Sequence, residues 1–367
     1  MRRFSAQYIF TSAGPPLKRG IVTTDDDGTI QSVEDTGGNP GERAGTEFYN
    51  GIIIPGLVNC HAHLELSHMR GAFEAGSGLR SFITHIQRQR KADSKVIAAA
   101  AERADSEMIT AGTVACGDIS NNAVSFAVKS ASRIRYHTFL EVFGSDPLVA
   151  DSRISEAGAL SAAAADAGLG HSITPHAVYS MSEPLFRLIM QQITPDSTVS
   201  LHFLESDDER QMADGFLDKA LSLAGICSQL ILVHNTVIKP DEARSLAAAG
   251  NTWFCLCPSS NMHITGTMPP VELLAEVTDR IVTGTDSLAS TEHLDILNEI
   301  RLLHEAAPGL PLSEIVRWGT INGARALGLS DTIGTIEQGK RPGLLLIENA
   351  DMVSLHLTAA SRVRRLL

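Results

Sequence analysis

Two histidines one residue apart, His61 and His63, carry the first chemical signal of this chain. They end the run Pro55-Gly56-Leu57-Val58-Asn59-Cys60-His61-Ala62-His63, which reads as a strand. Residues two apart on a strand project to one face, so both imidazoles can reach a single metal ion. Alone, such a pair reads equally well as two satisfied surface histidines. Three later groups change that reading: His202-Phe203-Leu204-Glu205, Val233-His234, and Thr283-Gly284-Thr285-Asp286-Ser287. Each closes a separate strand-like run, the place where barrel active sites are assembled.

The elements that must position these residues follow from the alternation of short apolar runs with longer helical patterns between residues 55 and 330. Strands are expected at 56–63, 112–118, 134–141, 170–174, 198–204, 229–234, 251–257 and 280–284, with helices at 92–111 and over the alanine-rich 159–167. Eight strands separated by helices predict a parallel sheet closed into a (β/α)8 TIM-type barrel. The first 54 residues are rich in Gly, Asp and Thr, with short extended runs at 20–24 and 29–33 that suggest hairpins. Further extended runs at 344–347 and 363–367 place the two ends together. The expected organisation is a composite small β domain from 1–54 and 334–367, and a hydrolase barrel over 55–333.

Composition narrows the partners. A chain of 367 residues, 43% hydrophobic and 20% charged, can bury a sizeable core. Its net charge of −12 repels phosphate backbones and anionic lipid, so neither nucleic acid nor membrane is expected and a small-molecule substrate is. No apolar stretch approaches the ~20 residues of a membrane span, and Met1-Arg2-Arg3-Phe4-Ser5-Ala6-Gln7 lacks the core of a secretion signal. Cys60, Cys116, Cys227, Cys255 and Cys257 are read as buried free thiols in a cytoplasmic protein. A homodimer is compatible with all of this. No Gly-x-Ser-x-Gly elbow occurs, nor the His-x-Glu with Pro-Cys-x-x-Cys of nucleic-acid-type zinc deaminases.

The ordered set of strand ends resembles the amidohydrolase superfamily over nearly the full length. It is most similar to the mononuclear branch that holds cytosine, guanine and S-adenosylhomocysteine deaminases and triazine chlorohydrolases. Pro175-His176-Ala177-Val178-Tyr179-Ser180, Pro258-Ser259-Ser260-Asn261-Met262 and Gly334-Thr335-Ile336-Glu337-Gln338-Gly339-Lys340 match the same branch. The tail departs at Pro342-Gly343-Leu344, where relatives carry Ala-Asp-Leu. The resemblance implies that His61, His63, His202 and Asp286 bind one divalent metal, Zn²⁺ or Fe²⁺. It makes Glu205 the general acid and base and sets His234 against the attacking water or the developing oxyanion. Binuclear relatives use a strand-four lysine to bridge two metals, and no lysine occurs near 170–180.

Three imidazoles and a carboxylate leave a cation one position for water, whose pKa falls from about 15.7 towards about 7. Asp286 is expected to take that water's proton with a free oxygen, and Glu205 to protonate a ring nitrogen and then the departing ammonia. The loop Leu64-Glu65-Leu66-Ser67-His68-Met69-Arg70-Gly71 and the segment Gly78-Leu79-Arg80-Ser81-Phe82-Ile83 look like the aminofutalosine deaminase-like group. On that likeness Glu65 or His68, with His176, would hold ribose. Arg88 and Arg90 end an expected helix and can meet a substrate carboxylate, which guanidinium binds bidentately. The implied substrate is 6-amino-6-deoxyfutalosine or another 5′-substituted adenosine. Two alternatives stay open: a deaminase or chlorohydrolase of another heteroaromatic ring, and a catalytically silent metal-binding scaffold.

Overall fold

The protein was analysed as a computed structural model that describes residues 1–41 and 43–367. Its chain falls into two compact units, Met1–Val58 with Met108–Val114 and Asp295–Leu367, and Asn59–Glu107 with Ala115–Leu294. Among the described residues no helix is long and apolar enough to cross a membrane.

The first unit is built on one sheet. Its strands are β1 (Arg2–Ile9), β2 (Leu17–Lys18), β3 (Ile21–Thr24), β4 (Ile30–Glu34) and β5 (Thr46–Pro55), completed from the far end of the chain. β3 and β4 form the expected hairpin, but β1 and β5 pair in parallel, which no hairpin can do. Phe4, Ile9, Val22, Ile53 and Leu344 pack together as the core of this unit. The helices Ile296–Ala306 and Leu312–Arg317 cluster here too, so the compact unit is wider than the segments 1–54 and 334–367.

The next eight strands fall where the sequence puts them: β6 (Leu57–Ala62), β7 (Thr113–Ser120), β8 (Arg135–Val142), β9 (Gly170–Pro175), β10 (Thr198–Phe203), β11 (Gln229–His234), β12 (Thr252–Leu256) and β13 (Ile281–Thr283). The last two strands, β14 (Leu344–Glu348) and β15 (Arg362–Arg365), return to the sheet of the first unit through β5. β6 to β9 and β10 to β13 are two four-stranded sheets. Single parallel bridges join them at both edges, Ala177 to His202 and Ala62 to Asp286, and close the eight strands into the TIM-type barrel. At the first seam side chains replace part of the ladder. The Thr174 hydroxyl takes the Ser200 N–H at 2.8 Å and donates to the Ser200 carbonyl, while Ser172 donates to the Thr198 carbonyl at 2.5 Å.

Two helices follow β6. α1 (Leu79–Gln89) repeats its apolar positions at Leu79, Phe82, Ile83 and Ile86, which confines them to one face. α2 (Ser94–Thr110) is the crossover helix expected at 92–111. Lys129, on the short α3 (Phe126–Ala131), is wholly buried beneath β7. It is ion-paired to Asp118 and donates to Ser120 at 2.7 Å and Thr138 at 3.3 Å. Asp118 also accepts the Leu64 N–H at 2.7 Å, which anchors the loop after β6.

Candidate active site

The barrel strands carry their polar residues to one end. Leu204, His234, Asn235 and Asp286 all lie there with positive φ, between 52° and 78°, a conformation that non-glycine residues rarely adopt. Neighbouring strands hold these turns in place. Asn235 N–H donates to Phe203 O at 2.9 Å and its side-chain amide to Leu232 O at 2.7 Å, while Asp286 N–H donates to His61 O at 3.0 Å. Gly284 is required beneath the site, because a Cβ there would stand 2.8 Å from the His61 Cβ and 2.9 Å from the Cys255 Sγ. All five cysteines are free and buried.

Four donor atoms converge. His63 Nε2 lies 3.1 Å from His61 Nε2, 3.4 Å from His202 Nε2 and 3.3 Å from Asp286 Oδ1, and His61 Nε2 lies 3.7 Å from that oxygen. Donors about 2.0–2.1 Å from one tetrahedral ion stand roughly 3.3 Å apart, so the spacing fits one divalent cation. Protonation agrees. Burial, reinforced by neighbouring imidazoles, holds His63 and His202 well below the ordinary histidine range, so both are neutral and can ligate. Burial opposes ionisation of Asp286, but the surrounding imidazoles of His61, His63 and His234 favour its carboxylate and hold its carboxyl well below the usual range.

The remaining nitrogens sort the histidines by task. His202 Nδ1 faces the His176 carbonyl at 3.1 Å, which can only accept, so Nδ1 carries the proton and Nε2 the lone pair. His234 is the reverse. The Asn261 amide nitrogen reaches its Nδ1 at 3.2 Å and can only donate, leaving the proton on Nε2. With that amide orientation His234 Nε2 is left to hydrogen-bond rather than to ligate, although it lies within reach of His61 and His202. Its Nε2 is 3.8 Å from Glu205 Oε2, and burial holds the ring neutral, with its pKa lowered to about 4. Burial and the charges of Asp286 and Glu209 push Glu205 well above the ordinary carboxyl range. Glu209 also accepts the Glu205 N–H at 2.7 Å and so fixes its backbone.

His63, His176, His202, Glu205, His234 and Asp286 all line one cavity, whose opposite wall is the apolar face of α1. The Ser180 hydroxyl lies 2.8 Å from both Ala177 O and His176 Nδ1, which fixes the ring's position in the cavity wall.

The other expected substrate contacts lie elsewhere. Glu65 is buried and spent on Arg90 at 2.8 Å, the Asn121 N–H at 3.0 Å and Asn122 Nδ2 at 2.8 Å. His68 turns its Nδ1 to the Glu65 carbonyl at 3.1 Å, and neither residue lines the cavity. Arg88 is exposed, because the cavity face of α1 runs through residues 79, 82, 83, 86 and 87, and the same spacing reaches Arg90 instead. The oxygen of Asp286 expected to be free, Oδ2, accepts from Ser260 at 2.6 Å and Ser290 at 2.9 Å. Sequence reasoning missed Glu141, Asn121, Ser260 and Ser290. Glu141 could have been found, since it ends the expected strand 134–141 as the other site residues end theirs.

The amidohydrolase family profile matches residues 52–361. A 5-methylthioadenosine/S-adenosylhomocysteine deaminase of Haloarcula marismortui is 29% identical over 361 residues, covering 93% of this chain and 82% of that protein. An adenosine deaminase from Xanthomonas campestris with bound zinc superposes with a TM-score of 0.77 at 25% identity, covering 97% of this chain and 87% of that one. Helicobacter pylori aminofutalosine deaminase, in complex with methylthio-coformycin, gives a TM-score of 0.78 at 22% identity, with 98% and 94% covered. With 310 of its 367 residues inside the family profile, counting 52 to 361, and a donor set fitted to a single divalent metal, the chain belongs to the amidohydrolase family.

Proposed function

We propose that this enzyme removes the 6-amino group of an adenosine-type nucleoside as ammonia, with 6-amino-6-deoxyfutalosine or another 5′-substituted adenosine as substrate. The observation that carries the reading is a carboxyl group whose burial favours its protonated form, Glu205, in one cavity with Asp286, His63, His202 and His176. His61, His63, His202 and Asp286 would hold the metal, which supplies an activated water when bound. Glu205 delivers its proton to a purine ring nitrogen, which makes the amino-bearing carbon electrophilic, and the His234 Nε2–H hydrogen-bonds the incoming oxygen. With Asp286 Oδ2 occupied by two serines, the oxygen facing the ligands is the one left to receive the water's proton. The α1 wall of Leu79, Phe82, Ile83 and Ile86 suits the flat face of a base and keeps bulk water from it. A second cavity shares Ile83, Gln87, Phe143, Tyr179 and Ser180 with the first and gives a 5′ substituent somewhere to go.

Ammonia release from the zinc-loaded enzyme tests the reading. Against 6-amino-6-deoxyfutalosine, S-adenosylhomocysteine, 5′-methylthioadenosine, adenine, cytosine and guanine, the 5′-extended nucleosides should exceed free adenine in kcat/KM, because the remote group helps orient the base. Glu205→Gln should keep the metal and lower turnover by about 10²-fold or more. No ammonia from any adenosine derivative, or equal rates with free bases, would sink the assignment.

A further inference from the structure

The turn that carries Glu205 extends past the strands that could bond its backbone. The ladder of β10 with β11 ends at the pair Phe203 and His234, and on the other side the last bridge joins His202 to Ala177. Beyond that point the carbonyls are still engaged: Phe203 O accepts the Asn235 N–H at 2.9 Å and Leu204 O the Val237 N–H at 3.0 Å. The N–H groups of Leu204 and Glu205 lie outside both ladders. Buried amide hydrogens need an acceptor, and here a side chain supplies it. Glu209 Oε2 accepts the Glu205 N–H at 2.7 Å, and the Leu204 N–H favours the charged form of the same carboxyl.

This is not an ordinary helix cap. Glu209 is the third residue of the short helix Asp207–Met212, whose N-cap is Ser206. A glutamate at that position commonly returns to the N–H of the N-cap itself. Here it reaches one residue further, to Glu205, and the Ser206 side chain makes no cap hydrogen bond. Glu209 is 0% exposed and its Oε1 has no hydrogen-bond partner, so its burial serves the oxygen that holds the turn. Leu204, just before Glu205, has φ 52°, a left-handed conformation that its surroundings must impose. From this turn the Glu205 side chain enters the cavity, with Oε2 3.8 Å from His234 Nε2. Rotation of the Leu204–Glu205 peptide would swing that carboxyl, and a displacement of about 1 Å costs on the order of 10²-fold in rate.

Building on the nucleoside deaminase reading above, we infer that Glu209 is a positioning residue for the proton transfer: it acts through Glu205, by holding the backbone N–H of the acid from outside the barrel ladder. The turn needs an acceptor oxygen rather than a charge, so glutamine should serve in its place.

Two variants separate this role from a structural one: Glu209→Met keeps the volume and removes the acceptor, and Glu209→Gln keeps an oxygen. With 5′-methylthioadenosine and 6-amino-6-deoxyfutalosine, zinc-loaded Glu209→Met should lose about 10²-fold in kcat with KM within about threefold of wild type. Glu209→Gln should stay within about fivefold of wild type in kcat. Hydrogen exchange at the Glu205 amide, which needs no substrate, should quicken about tenfold or more in Glu209→Met and stay near wild type in Glu209→Gln. Wild-type kcat or unchanged exchange in the methionine variant overturns the inference, and so does a glutamine variant as slow as the methionine one. A methionine variant that fails to fold or to hold zinc marks a structural residue and overturns it too. No ammonia from wild type with either nucleoside overturns the nucleoside reading, and this inference with it.

Discussion

The barrel holds two buried polar clusters, one beneath β7 and one at the ends of β6, β10 and β13. In the first, Lys129 and Asp118 neutralise each other, and the remaining ammonium protons go to Ser120 and Thr138. In the second, three Nε2 atoms and Asp286 Oδ1 converge, with neighbouring donors 3.1 to 3.7 Å apart. The first is sealed, with Asp118 and Lys129 side chains 0% exposed, whereas His63, His202 and Asp286 of the second line a cavity. The difference lies in what is missing: the first set has its own cation and the second does not. Burial of charge is therefore no mark of function by itself; an excess of one kind of partner is.

The largest effect should come from breaking the self-contained cluster. Lys129→Met leaves Asp118 buried without its counter-charge and should cost about 3–5 kcal/mol of folding stability in denaturant titrations, while the Lys129→Met, Asp118→Leu double variant should recover most of that. A single variant as stable as wild type would mean that the pair is already open to water.

The second cluster should respond to metal instead. Zn²⁺ added to chelated protein at about 1,000 times its Kd should stabilise it by about 4 kcal/mol, read as a rise in Tm. Replacing both Ser260 and Ser290 by alanine, which frees Asp286 Oδ2, should weaken that metal by about 10–100-fold in chelator competition. Unchanged affinity would show that Asp286 needs no help to face the site.

The smallest effect is electrostatic and lies between the two extremes. Glu209 has a backbone N–H as a partner but no cation at hydrogen-bond distance on its other oxygen, and burial raises its pKa from 4.5 to about 7. Between those values the folded chain holds a proton that the unfolded chain has lost, so this group's effect is a loss of stability as pH rises through the window. Tm should fall between about pH 5 and pH 8, and Glu209→Gln should flatten that slope. A slope that is the same in the variant would assign it to Glu65 and Glu141, whose pKa values burial also raises to about 7.

The same contrast explains what the sequence disclosed. All eight barrel strands were legible because each is a short apolar run bounded by helical pattern, and His61, His63, His202, Glu205, His234 and Asp286 were legible because they end such runs. The parallel pairing of β1 with β5 was not, since no local signal links strands separated by some forty residues. Nor was the choice between Arg88 and Arg90, which turns on where α1 begins. The engagement of Glu65 was hidden too, because only the folded chain brings Arg90, Asn121 and Asn122 to its carboxylate.

The seams of the barrel give the ligand set a further meaning. Its sheet is two half-cylinders stitched by single bridges, one at His202 and the other at Asp286, and His61 and His63 belong to the opposite half from both. An ion gripped by all four side chains is thus a clasp across the two places where the cylinder is least sewn. Holding the halves shut and holding the reactants would then be one act, and removal of the metal should loosen the mouth of this barrel as well as stop its chemistry.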